Sequence, residues 1–179
     1  MEKVKLLTLA ITDQTMKRLL LMMAAMIAMG TAQAQHKSLD SIYNPAADAR
    51  ADLKAALQKA SVEKKHVLLQ IGGNWCIWCR RLYAFVEEHP KLKEEQNKNF
   101  VVYHLNYSKE NKNLDILKEL GYPQRFGFPV LVILDAKGNR LHTQNTGLLE
   151  SADSYDEKKI LEMIRNWAPA AFDPALYAN

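Results

Sequence analysis

The sequence predicts an α/β protein in which a central mixed β-sheet is flanked by helices on both faces. Short apolar runs of strand length alternate along the chain with segments whose apolar residues recur at helical spacing. A helix separates the first two runs, so they need a crossover connection and should be parallel. The third run leads into a tight turn, which predicts an antiparallel hairpin. The sheet would then be mixed, with helices covering both of its faces.

The first half of the domain is predicted to contain a helix, a strand, a second helix and a second strand, over residues 48–59, 66–71, 76–88 and 100–105. Pro45, just ahead of the first helix, is a typical start signal. Gly72 and Gly73 end the first strand, whose short apolar run indicates that it is buried. Pro90 interrupts the second helix.

The second half is predicted to contain a helix, two strands and a last helix, over residues 114–120, 130–134, 140–143 and 155–167. Gly121 closes the first of these helices. The sequence Asp-Ala-Lys-Gly at 135–138 is typical of the turn that joins two hairpin strands. We therefore predict an N-terminal lead over 35–47, one domain over 48–168 and a C-terminal tail over 169–179.

The first residues are typical of an export signal. A positive pair precedes an apolar run over 19–29, and Ala-Gln-Ala at 32–34 matches a signal-peptidase site. The run is shorter than the roughly 20 apolar residues that span a bilayer, although a membrane anchor or a buried helix is the alternative interpretation. We predict a signal peptide over 1–34, with Met16 as the true start and residues 1–15 upstream of it.

The composition and the predicted export signal together limit the classes of protein to which this chain can belong. Hydrophobic residues make up 48% and charged residues 25% of the chain, as in ordinary globular proteins. The net charge of +4 is evenly spread, which argues against nucleic acid as a partner. Two cysteines are too few for a disulfide scaffold. We expect an exported, periplasmic protein that keeps no stable membrane anchor after signal cleavage.

The two cysteines belong to the motif Trp75-Cys76-Ile77-Trp78-Cys79, at the junction of a buried strand and a helix. Gly127-Phe128-Pro129 stands directly before the third strand, and the hairpin turn follows that strand. In this arrangement the chain resembles the thioredoxin superfamily over residues 48–168, in particular the exported thioredoxin-like proteins of bacteria. The resemblance implies the thioredoxin fold and a thiol–disulfide oxidoreductase with a redox-active CxxC centre.

Elementary chemistry assigns different roles to the two cysteines. Cys76 stands where a helix begins, so unpaired backbone N–H groups would lower the pKa of its thiol from about 8.5. Cys79 lies one turn further on and is shielded. We therefore expect Cys76 to be the nucleophile and Cys79 to be the resolving thiol. Arg80 and Arg81 either add positive potential nearby or are two solvated helix residues.

Two other interpretations of the cysteine pair are weaker. A structural disulfide closing so small a loop would constrain the unfolded chain little. A metal site would need further ligands at suitable spacing, and the five histidines form no such pattern. We expect no metal and no organic cofactor. A thiol peroxidase is also disfavoured, because the nucleophile lies in a CxxC motif.

By the same resemblance, four residues would form the substrate-binding groove. Pro129 would have a cis peptide bond with Phe128, whose backbone would pair with an extended substrate segment. A trans proline at the start of an edge strand is the alternative. Trp75 matches the family tryptophan beside the active site. Trp78 would either restrict access and offer an apolar platform or fold onto the helix and cover the core.

Two positions depart from the family pattern. Well-known thioredoxins bury an Asp six residues before the first cysteine, where it assists deprotonation of the resolving thiol. Gln70 occupies that position here and cannot ionise. His104 corresponds to a lysine of the family's next strand, and an ordinary histidine pKa near 6.5 would suit a proton shuttle. We consider His104 and Gln70 a possible proton relay, the alternative being a histidine without that role.

The sequence therefore predicts an extracytoplasmic enzyme that exchanges disulfides with cysteine-containing exported proteins, of reductase or isomerase type rather than an oxidant. A membrane thiol-transfer protein would be its redox partner. The alternative is a non-catalytic module of the same fold that recruits a partner through the groove of Trp75, Trp78, Phe128 and Pro129. The segments 121–126 and 147–154 are expected to rim the site.

Overall fold

A computed structural model describes residues 41–178 of the chain. The predicted signal peptide over 1–34 and the predicted start at Met16 lie outside the described residues. The helices are α1 Ala49–Glu63, α2 Ile77–Glu88, α3 Pro90–Asn99, α4 Leu114–Glu119 and α5 Glu157–Asn166. The strands are β1 His66–Gly72, β2 Phe100–Asn106, β3 Val130–Leu134, β4 Arg140–Asn145, β5 Glu150–Ser151 and β6 Ser154–Tyr155.

The main sheet has the strand order β2-β1-β3-β4. β1 and β2 are parallel, whereas β3 is antiparallel to both β1 and β4. The predicted mixed sheet, the parallel first pair and the hairpin are therefore confirmed. The register places Gln70 of β1 opposite His104 of β2, and Gly72 opposite Asn106.

Helices cover both faces of this sheet, as the sequence predicts. On one face α1 and α4 bury Ala56, Ala60 and Leu117 against the strands. On the other face α2, α3 and α5 bury a second cluster that includes Leu82 and Ile164. Because both faces are covered, every residue of β3 is buried, which explains its continuous apolar sequence.

The helix α3 differs from the prediction. Pro90 does end α2, but it is also the first residue of a new ten-residue helix. Proline is well suited to that position, because its missing N–H would have had no partner there. Only Leu92 of this helix is buried, so its sequence carries no apolar periodicity. In addition, Tyr155 lies in the short strand β6, and α5 begins after its N-cap Asp156.

Candidate active site

The two cysteines lie where the loop after β1 enters α2. Cys76 is the N-cap residue of α2, and its Sγ accepts a hydrogen bond from the backbone N–H of Cys79 at 3.1 Å. The two residues form a disulfide with their Cα atoms 5.2 Å apart. Cys76 is 5% exposed and Cys79 is fully buried. The more accessible sulfur is thus the one at the positive end of the helix.

Beneath the disulfide lies a buried polar pair. The Gln70 side-chain amide donates hydrogen bonds to the Tyr43 hydroxyl oxygen at 2.8 Å and to the Cys79 carbonyl oxygen at 3.2 Å. Both side chains are almost inaccessible, at 6% exposure for Gln70 and 2% for Tyr43. Gln70 therefore occupies the place of the family's buried acid as a neutral donor.

Tyr43 is the residue of this site that sequence reasoning missed. It lies in the predicted N-terminal lead, yet it packs in one cluster with both cysteines. Asn74, in the loop before the cysteines, accepts a hydrogen bond from the Tyr43 backbone N–H at 3.0 Å and donates one to its carbonyl oxygen at 2.8 Å. Burial raises the pKa of the Tyr43 hydroxyl, so it stays protonated.

His104 lies beside this pair on the neighbouring strand. Its ring meets the edges of Tyr43 and Tyr83, in each case with ring centroids 5.6 Å apart. Burial raises the pKa of the Tyr83 hydroxyl as well. The structure thus brings His104 and Gln70 onto adjacent strands next to the disulfide, and a relay role for them stays a prediction.

The loop before β3 approaches the cysteines from the other side. The peptide bond between Phe128 and Pro129 is cis. Phe128 packs against the cysteine cluster, and its ring meets Trp75 edge-on, with centroids 5.6 Å apart. Trp75 is 59% exposed, although its indole N–H donates to the Tyr107 carbonyl oxygen at 2.7 Å. Trp75 and Phe128 therefore form an accessible aromatic edge next to the disulfide.

Trp78 is held differently from Trp75. Its ring is half-buried against the core, with the Tyr155 ring edge-on at 5.6 Å and the Arg81 guanidinium 4.8 Å from its centroid. Arg81 also donates to the carbonyl oxygen of Asp153 at 3.0 Å. Trp78 also packs against the cysteine cluster, so its contact with substrate stays a prediction. Arg81 is engaged with Trp78 and the β5–β6 hairpin.

The segment after β4 also contributes to the site. Its buried Thr146 hydroxyl donates a hydrogen bond to the Pro129 carbonyl oxygen. The Tyr155 hydroxyl donates to the Trp78 carbonyl oxygen at 3.3 Å. These two bonds join 146–155 to the proline loop and to the CxxC turn, where the sequence predicted only a rim.

A buried cysteine joined in a disulfide to a cysteine that caps a helix, beside an accessible aromatic edge, is an arrangement suited to thiol–disulfide exchange. Comparisons with known proteins agree. The family model described as thioredoxin-like matches residues 48–136. The thiol:disulfide interchange protein CycY of Rhizobium leguminosarum bv. viciae is 36% identical over 90 residues, which span 49% of this chain and 44% of that protein.

Among solved structures, a disulphide isomerase from Xylella fastidiosa Temecula1 superposes with a TM-score of 0.62 and 27% sequence identity. The match covers 69% of this chain and 94% of that chain. The chain has the thioredoxin fold and is similar to thioredoxin-like thiol–disulfide oxidoreductases. The match to CycY covers less than half of that relative's length.

Proposed function

We propose that this chain is an extracytoplasmic protein thiol–disulfide oxidoreductase that acts as a reductase or isomerase on exported proteins. The observation that carries the proposal is the placement of the cysteines, with Cys76 capping α2 and Cys79 buried behind it. A thiol:disulfide interchange protein and a disulphide isomerase as relatives support the same class of reaction.

In the reductive direction the cycle starts from the dithiol. The Cys76 thiolate attacks one sulfur of a substrate disulfide, and a new S–S bond joins Cys76 to the substrate. The substrate's own S–S bond breaks, and its electron pair leaves on the second sulfur, which takes up a proton. The α2 N-terminus and the N–H of Cys79, 3.1 Å from Cys76 Sγ, favour the attacking thiolate.

The second step regenerates the disulfide. The Cys79 sulfur attacks Cys76 Sγ, and the bond between Cys76 and the substrate breaks. The substrate sulfur leaves with the electron pair and, in net terms, receives the proton that Cys79 has lost. The substrate is reduced by two electrons and the cysteine pair is oxidised by two. In isomerisation a second substrate thiolate replaces Cys79 in this step.

The surface next to Trp75 suits a polypeptide substrate. An open groove of about 680 Å³ runs beside it, lined by Asn74, Trp75, Tyr107, Lys109, Glu110 and Lys112. The lining combines aromatic, amide and charged groups, which suits a polypeptide segment of mixed composition. We assign Trp75 and Phe128 to substrate contact, with Pro129 beside the sulfurs.

We also propose that the enzyme works in the periplasm after removal of residues 1–34. Among residues 41–178 no helix is long and apolar enough to cross a membrane. A reductase outside the cytoplasm needs an electron source, for which we propose a membrane thiol-transfer protein. Cell fractionation and N-terminal sequencing test the location: a periplasmic product beginning at Gln35 is expected, and an intact Met1 contradicts it.

Turnover distinguishes the enzyme from a binding module. The purified protein should accelerate insulin reduction by dithiothreitol, and Cys76→Ser should abolish the acceleration. Cys79→Ser should instead accumulate a mixed disulfide between Cys76 and the substrate, visible on a non-reducing gel. A wild type that shows no turnover, but binds substrate as well as Cys76→Ser does, identifies a module.

The reduction potential distinguishes a reductase or isomerase from an oxidant. Equilibration with glutathione, followed by thiol alkylation, gives the potential of the Cys76–Cys79 couple. A value near or below about −180 mV is typical of isomerases and reductants, whereas strong oxidants lie near −120 mV. A value in the second range would overturn the proposed direction.

A further inference from the structure

Tyr43 is fixed below the disulfide by contacts at both ends. Asn74 pairs with its backbone N–H and carbonyl oxygen, at 3.0 and 2.8 Å. Gln70 donates to its hydroxyl oxygen at 2.8 Å. A tyrosine hydroxyl has one proton to donate and two lone pairs. Because Gln70 uses a lone pair, the hydroxyl proton stays available for another acceptor.

The hydroxyl and the sulfur of Cys79 border the same small space above Gly72. A Cβ atom built on Gly72 would collide with Cys79 Sγ and lie 3.0 Å from Tyr43 Oη. Gly72 has no side chain, so nothing of its own separates the two atoms. A disulfide sulfur is a weak acceptor, whereas a thiolate accepts hydrogen bonds strongly.

We propose that the Tyr43 hydroxyl, held by Gln70, donates a hydrogen bond to Cys79 Sγ when the disulfide is open and thereby favours the resolving thiolate. The inference rests on the proposed exchange reaction and assigns to a neutral pair the task that a buried acid performs in related proteins. It explains why a glutamine is compatible with catalysis at this position. Gln70 orients Tyr43, and Tyr43 acts on the sulfur.

The step itself is the resolution of the mixed disulfide. Cys79 loses its proton, its sulfur bonds to Cys76 Sγ, and the substrate sulfur departs and ends protonated. Tyr43 keeps its own proton throughout, since it only donates a hydrogen bond. No further reductant or oxidant is needed. The other titratable groups facing this pocket are Cys76 and Tyr83 from α2, His104 from β2 and Tyr155 from β6.

The test compares two tyrosines of the same cluster. In a Cys76→Ser background the only remaining thiol is that of Cys79, and its thiolate is titrated by absorbance at 240 nm. Tyr43→Phe should raise the pKa of Cys79 by at least about one unit, a tenfold loss of thiolate at a given pH. Tyr83→Phe is the matched control, because Tyr83 also touches His104 but is not bonded to Gln70.

With both cysteines present, stopped-flow measurement separates the two steps. Tyr43→Phe should slow resolution at pH 7 about tenfold and leave formation of the mixed disulfide unchanged. The inference would be overturned if the pKa of Cys79 in the Cys76→Ser protein were the same with and without Tyr43→Phe. Absence of any mixed disulfide in Cys79→Ser would instead refute the proposed function, while the thiolate titration would still decide the role of Tyr43.

An NMR measurement on the wild-type protein tests the same contact without relying on the correct folding of a variant. The buried Tyr43 hydroxyl proton should give a slowly exchanging NMR resonance that shifts when the disulfide is reduced. It should shift again as Cys79 titrates. A resonance that is identical in the oxidised and reduced proteins means that the hydroxyl does not contact the sulfur, which refutes the proposal.

Discussion

Gly72 offers a direct test of how tightly the space below the disulfide is packed. In Gly72→Ala the new Cβ would overlap Cys79 Sγ and lie 3.0 Å from Tyr43 Oη. Overpacking of this kind costs about 1–3 kcal/mol. The lost flexibility of glycine in a strand returns about 0.5–1 kcal/mol. The two contributions leave a net loss of up to about 2.5 kcal/mol in the free energy of unfolding of the oxidised protein, and the overlap of Cβ with Cys79 Sγ favours the upper part of this range.

The same substitution should change the redox equilibrium. In the disulfide the Cys79 sulfur is tethered, whereas in the dithiol its side chain can turn away from the new methyl group. The oxidised form therefore loses more stability, and the reduction potential should rise. A difference of 1.4 kcal/mol between the two forms corresponds to about 30 mV.

Urea unfolding of the oxidised and reduced proteins, together with glutathione equilibration, measures both effects. Gly147→Ala is the control, since it lies in an exposed turn where the nearest heavy atom to a new Cβ is Asn145 Oδ1 at 3.2 Å. If Gly72→Ala has the stability and the reduction potential of the wild type, the space between Gly72, Cys79 Sγ and Tyr43 Oη is large enough for a methyl group. That result would also weaken the inferred contact between Tyr43 and Cys79.

Three further substitutions test other contacts of the site. Asn74→Ala removes both hydrogen bonds to the Tyr43 backbone and should lower stability by about 1–3 kcal/mol in urea unfolding. Thr146→Val leaves the Pro129 carbonyl oxygen without its hydroxyl donor; a loss of about 1–3 kcal/mol and slower insulin reduction are expected. His104→Ala should slow resolution at pH 7 and alter its pH profile between 5 and 8; an unchanged profile excludes His104 as a relay.

The sequence predicted the sheet well because its strands are simple. β1 and β3 are buried on both faces, so each appears as a short apolar run, which in β1 only Gln70 interrupts. The helix α3 was missed for the opposite reason: its single buried residue, Leu92, gives no pattern, and Pro90 signals both the end of one helix and the start of the next. The two-residue strands β5 and β6 are too short to have a periodicity.

The residues of the candidate active site also divide into those that the sequence predicted and those that it did not. The cysteines and the Phe128-Pro129 loop belong to local motifs, so their positions were predictable. Tyr43 belongs to no motif, and its contact with Asn74 joins residues 31 positions apart. The burial of Tyr43 depends on the space that Gly72 leaves open. This space forms only when β1, α2 and the segment before α1 pack together. The one sequence signal was a glutamine in place of the expected acid.

The backbone supplies a favourable interaction to the sulfur of Cys76, which caps α2 and accepts the N–H of Cys79. Arg81, one of the two arginines that the sequence placed nearby, is engaged with the Trp78 ring and the Asp153 carbonyl oxygen. The groups packed around Cys79 include the neutral side chains of Tyr43 and Gln70 and several aromatic rings. The helix N-terminus acts mainly on Cys76, because its effect falls off within the first turn. Burial and backbone N–H groups therefore distinguish the two cysteines, and in the inferred mechanism a buried neutral donor, Tyr43, favours the Cys79 thiolate without placing a competing anion beside Cys76.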